Sequence, residues 1–80
     1  MNIALIGYGK MGKIIEEIAV SRGHSIIAKS NSHHPITEID FSEVDVAIEF
    51  TAPIYAVKHI EHCIKHNTPV IVGTTAWIDE

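Results

Sequence analysis

Eighty residues, 46% hydrophobic and 20% charged, describe one small globular domain, and a chain of this size buries only about 60% of the surface its unfolded form exposes. Acidic residues outnumber Lys and Arg to give a net charge of -4 with His neutral, which offers no basic face to nucleic acid or to an anionic membrane. The single cysteine cannot form an internal disulfide, and no basic leader or membrane-length apolar run is present, so a cytoplasmic protein is expected.

Asn2 to Ile6 is a near-continuous apolar run, the pattern of a strand buried on both faces of a parallel sheet. Gly7, Gly9 and Gly12 follow it with the spacing G-x-G-x-x-G. Gly7 turns the chain out of the strand, Gly9 lets a pyrophosphate approach the backbone, and Gly12 lets the next helix lie close to the strand. That helix carries Met11, Ile14, Ile15, Ile18 and Ala19 as its apolar stripe and leaves Lys13, Glu16, Glu17 and Arg22 to solvent, with Gly23 as its stop. Its first-turn N–H groups and dipole face the place where a dinucleotide's phosphates would sit.

Ser25 to Ser30 reads as a second strand, parallel to the first because a helix intervenes. Residues 31–43 are loop-like, with room for a short strand near Ile36 to Ile39. Val44 to Phe50 is a third strand, which Thr51-Ala52-Pro53 turns into a helix reaching about His66, with Ile54, Val57, Ile60 and Ile64 as the expected buried stripe. Asn67-Thr68-Pro69 leads to a last strand, Val70 to Val72, and then Gly73-Thr74-Thr75. The alternation predicts a doubly wound, Rossmann-like α/β fold with four parallel strands in the order 2-1-3-4. Residues 7–12, Phe50-Thr51 and Gly73-Thr74-Thr75 then meet at the carboxyl edge of the sheet, where such folds bind ligands.

Glu49-Phe50-Thr51-Ala52-Pro53 and Val72-Gly73-Thr74-Thr75, behind Gly7-Tyr8-Gly9-Lys10-Met11-Gly12, resemble the dinucleotide-binding domain of the dihydrodipicolinate reductase family. The resemblance implies NADPH or NADH as cofactor and reduction of a small cyclic imine or its hydrated precursor, 4-hydroxy-tetrahydrodipicolinate, in lysine and diaminopimelate biosynthesis. It also implies a homo-oligomer at full length. By resemblance, Gly7, Tyr8, Gly9, Lys10, Met11 and Gly12 cradle the pyrophosphate, while Phe50, Thr51, Gly73, Thr74 and Thr75 approach the nicotinamide and its ribose. Lys10 stands where many members have arginine, a point charge in place of a planar fork, and Ala76 stands where the family has glycine. The family's catalytic His-His and lysine segment and its Ser-Gly-Thr loop have no counterpart. Residues 1–80 therefore read as an incomplete, amino-terminal cofactor domain without catalytic residues.

An NAD-specific fold places Asp or Glu about 20 residues past the glycines to take the ribose 2′-hydroxyl. Asn31 stands there, preceded by Lys29 and Ser30. These three are the candidate receivers of a 2′-phosphate, so NADPH is expected to be accepted at least as well as NADH. Two other readings stay open: a nucleotide-sensing module without turnover, and the cofactor domain of another amino-acid dehydrogenase. His59, His62 and His66 share one face of the second helix, expected to be solvated and opposite the aliphatic stripe rather than a metal site. Cys63 reads as a packing residue, and His33-His34, between early strands and before Pro35, is not matched to the family's catalytic pair.

Overall fold

A computed structural model describes residues 1–31, 33–51 and 53–72. Strand β1 (Asn2–Ile6) leads through the glycine turn into helix α1 (Lys10–Ser21), and β2 (Ser25–Ser30) follows. Two single-turn 3-10 helices, Ile36–Glu38 and Phe41–Glu43, precede β3 (Val46–Glu49), α2 (Pro53–Lys65) and β4 (Val70–Val72). The strands form one parallel sheet in the order β2-β1-β3-β4, so the Rossmann-like α/β topology expected from the alternation is the one observed. The order reverses between β1 and β3, which opens a crevice at their carboxyl ends.

Strand pleating sorts the core into two layers. Ile3, Leu5 and Phe50 face α1 and pack with Ala19, Ile15 and Tyr8. Ala4, Ile6 and Ala47 face the other way and pack with Cys63, Ile36 and Phe41. Both helices stop through the same paired bonds. Gly23 N–H donates to Val20 C=O and His24 N–H to Ala19 C=O after α1, while Asn67 N–H donates to Ile64 C=O and Thr68 N–H to Cys63 C=O after α2. Each stop needs a left-handed residue, supplied by Gly23 at φ +87° and by Asn67 at φ +56°.

Four expectations are corrected. The segment near Ile36 to Ile39 is not a strand, because Glu38 N–H closes onto Pro35 C=O and Ile39 N–H onto Ile36 C=O, which folds Ile36 into the core as a 3-10 turn. The third strand is shorter than Val44 to Phe50, since Val44 N–H closes the second 3-10 turn onto Phe41 C=O. On α1, Gly12 and Ala19 are buried and Ile15 packs on the core as expected, whereas Met11, Ile14 and Ile18 are exposed, so only part of the expected stripe faces the sheet. On α2 the stripe is rotated: Ala56 and Cys63 are buried, while Val57 and Ile64 are 62% and 63% exposed. A helix approaches a sheet most closely along its small side chains, and Ala56, His59, Ile60 and Cys63 fit the helical period as well as the bulkier set does.

Candidate functional site

At the carboxyl end of β1 the Gly7 and Tyr8 N–H groups both donate to Ser30 C=O, at 3.0 and 2.7 Å. This closes the turn against the end of β2. Gly7 has φ +98°, and a Cβ there would lie 2.5 Å from Thr51 Cγ2, so backbone conformation and space both require glycine. At Gly12 a Cβ would meet Tyr8 Cδ1 at 3.0 Å and the Phe50 ring at 3.2 Å. Gly12 is what lets α1 rest on Phe50. Gly9 differs from both, because a Cβ there meets nothing within 4 Å. The space beside it is open.

Gly9 is also the N-cap of α1, and no side chain caps that end and no acidic residue lies in its first turn. Lys10 and Met11 are exposed on the same turn, with Lys13 beyond them. The arrangement suits an anion: uncapped N–H groups, the positive end of the helix dipole, and lysine charges nearby. An open cleft of about 640 Å³ runs alongside. Gly7, Tyr8 and Thr51 line it together with Ser30 and Asn31 from the end of β2, and with Pro35, Ile36, Tyr55 and His59.

The remaining candidates divide by what holds them. Ser30 is buried and its Oγ accepts from Gly7 N–H at 3.3 Å, so it builds the turn. Asn31 Oδ1 accepts from His33 and His34 N–H at 2.8 and 2.9 Å, which leaves its Nδ2 as a donor. Lys29 is engaged rather than free: its Nζ lies 3.0 Å from Glu16 Oε2 and 4.5 Å from the centre of the Tyr8 ring. Tyr8 OH donates to Glu16 Oε1 at 2.6 Å. The Tyr8 bond and then Lys29 hold the Glu16 carboxyl below its usual range, and Glu16 in turn raises both Lys29 and the Tyr8 hydroxyl. Phe50 lies in the core with its ring against α1. Gly73, Thr74 and Thr75 lie outside the described residues.

Glu49, and His59 which lines the cleft, were not among the site residues expected from the sequence. Glu49 is fully buried at the end of β3. It accepts from Thr51 N–H, from Thr51 Oγ1 at 2.5 Å and from His59 Nδ1 at 2.5 Å. The expectation of a solvated histidine face holds for His66, which is exposed, but not for His59, which turns toward Glu49, nor fully for His62, which is half-buried with its ring 5.6 Å from Phe41. One signal was available: in Val46-Ala47-Ile48-Glu49 the pleat puts Glu49 on the inner face with Ala47, and an inward carboxylate demands a partner on α2.

The family model described as "Dihydrodipicolinate reductase, N-terminus" matches residues 1–80. A 4-hydroxy-tetrahydrodipicolinate reductase of Christiangramia forsetii is 48% identical over 80 residues, covering 100% of this chain and 34% of the relative. One from Rickettsia rickettsii is 39% identical over 79 residues, covering 94% of this chain and 33% of the relative. A third, from Thermosipho africanus, is 35% identical over 81 residues, covering 100% of this chain and 36% of the relative. The chain thus spans about a third of the length of the curated relatives it matches.

Proposed function

The chain belongs to the dihydrodipicolinate reductase N-terminal family, and from that premise we propose that it is the dinucleotide-binding part of a 4-hydroxy-tetrahydrodipicolinate reductase. The observation that carries the reading is the open space at Gly9, on an uncapped helix terminus beside the cleft. A Cβ at Gly9 would meet nothing within 4 Å, so packing does not require glycine there, whereas close approach of a pyrophosphate to the backbone does. When bound, a reduced nicotinamide supplies hydride to the cyclic imine derived from 4-hydroxy-tetrahydrodipicolinate, a step of lysine and diaminopimelate biosynthesis. The residues of this chain bind and orient: first-turn N–H groups from Gly9 onward with Lys10 take the pyrophosphate, and the end of β2 with Asn31 takes the ribose. Phe50 would contribute through its backbone, and Thr51, with Gly73, Thr74 and Thr75, would approach the nicotinamide end.

NADPH should be accepted at least as well as NADH. No carboxylate stands at Asn31 to repel a 2′-phosphate, and the Lys29 ammonium, 40% exposed in its side chain, can exchange Glu16 for phosphate. Fluorescence titration with both cofactors tests this, and a clear NADH preference that persists at low salt would count against it. The binding reading itself is tested by Gly9→Leu. Its melting temperature should match the parent while NADPH affinity falls by roughly tenfold or more, the loss of over one hydrogen bond's worth of contact. Unchanged affinity in that variant would remove the reading.

A further inference from the structure

Glu49 and His59 are not explained by packing. Burying a carboxylate is costly where an apolar side chain would not be, so a carboxylate with no exposure, bonded to two residues that line the cleft, calls for another reason. Its Oε1 accepts both the N–H and the hydroxyl of Thr51, and its Oε2 lies 2.5 Å from His59 Nδ1. An ionised carboxylate only accepts, so the imidazole proton belongs on Nδ1. That leaves Nε2 with a lone pair. Nε2 has no hydrogen-bond partner among the described residues, and the His59 ring lines the cleft.

His59 lines the same cleft as Ser30 and Asn31, which stand at the strand end where this fold class recognises the ribose next to the base. Pro35, Ile36 and Tyr55 line the cleft as well and give it apolar and aromatic surface suited to a flat purine. We infer that Glu49 is a positioning residue: through Nδ1 it sets His59 to present Nε2 as an acceptor, which takes the exocyclic amino group of the adenine of a bound dinucleotide. The inference rests on the dinucleotide reading above. It predicts that the site distinguishes adenine from hypoxanthine, whose 6-position is a carbonyl and offers an acceptor in place of the amino donor.

The test is nitrogen-resolved NMR of the histidine rings in the labelled protein at about pH 8, above the ordinary imidazole range, together with titrations of NADPH and its hypoxanthine analogue. Expected are a proton on His59 Nδ1, a shift at Nε2 on adding NADPH, and binding of the hypoxanthine analogue roughly tenfold weaker. Glu49→Gln would donate an amide proton to Nδ1, move the ring proton to Nε2 and so shrink or reverse the preference for adenine. A merely structural Glu49 would leave that preference unchanged. If the variant does not fold, the wild-type tautomer and base preference still decide the matter. A proton on Nε2, equal binding of the two bases, or amide shifts over residues 9–12 with none at His59 would overturn this inference while leaving dinucleotide binding intact. Absence of shifts at both places would overturn the two together.

Discussion

Gly7 and Gly9 stand two residues apart and answer to different constraints, which makes them a matched pair for mutation. Gly7→Ala places a Cβ 2.5 Å from Thr51 Cγ2 at a φ of +98°. It should cost about 2 kcal/mol or more in urea unfolding, the scale of left-handed strain plus a clash. Gly9→Ala should leave the unfolding curve in place and weaken the dinucleotide instead; an unfolding loss as large as that of Gly7→Ala would contradict the open space seen there. His62 carries a pH prediction. Burial, then the charges of His66, Lys65 and His59, hold its imidazole below the usual value, and its ring packs on Phe41. The fold therefore favours the neutral ring, so its contribution is present above the unfolded imidazole value of about 6.5 and is lost as pH falls below it. Melting temperature should drop on acidification through that window, and His62→Phe should flatten the drop; an unchanged slope would exclude His62 as its source.

At the scale of elements, the rotated face of α2 is the informative departure. Val57, Ile60 and Ile64 and the alternative set Ala56, Ile60 and Cys63 obey the same period, and side-chain size argues for the first while close approach to the sheet selects the second. Ile64→Ser should change stability by under about 0.5 kcal/mol, as for an exposed site, whereas Cys63→Ser should cost roughly 1–3 kcal/mol by burying a hydroxyl among Ala4, Ile6 and Ala47. Comparable losses at both positions would reject the observed helix face. The same burial pushes the Cys63 thiol up, so alkylation of the native protein should be slow. The strands were more legible than the helix faces. An apolar run reads as a strand whichever neighbours it finds, but the buried side of a helix depends on what it packs against.

For the molecule as a whole, exposed apolar residues among those described lie on both helices and on both outer strands, among them Met11, Ile14 and Ile18, Val57 and Ile64, Ile27 on β2 and Ile71 on β4. Strands β2 and β4 are the sheet edges among the described residues, and open edges invite pairing with another chain. Residues 1–80 alone are expected to self-associate, and replacing Ile14 and Ile18 by Glu and Lys should reduce this in sedimentation without lowering the melting temperature. Association unchanged by those substitutions would place the contact elsewhere. The same polypeptide is expected not to oxidise NADPH with 4-hydroxy-tetrahydrodipicolinate, because hydride transfer needs a substrate held in near-attack geometry and a proton donor, and the residues proposed above serve to bind and orient the cofactor. Turnover approaching that of a relative assayed alongside would show otherwise.

What the sequence by itself determined was the strand and helix alternation, the 2-1-3-4 sheet order and the need for glycine at Gly7 and Gly12. Those follow from local periodicity, the handedness of crossovers and the absence of a Cβ, none of which waits on distant contacts. Only the tertiary structure decided that Lys29 is held by Glu16 and Tyr8, that Ile36 and Phe41 close the core from a loop, and that Glu49 reaches across to His59. Each of these joins side chains that are far apart in the chain or on different elements. Their choice of partner is set by which faces the packing brings within hydrogen-bonding and van der Waals reach, and no spacing along the sequence encodes that.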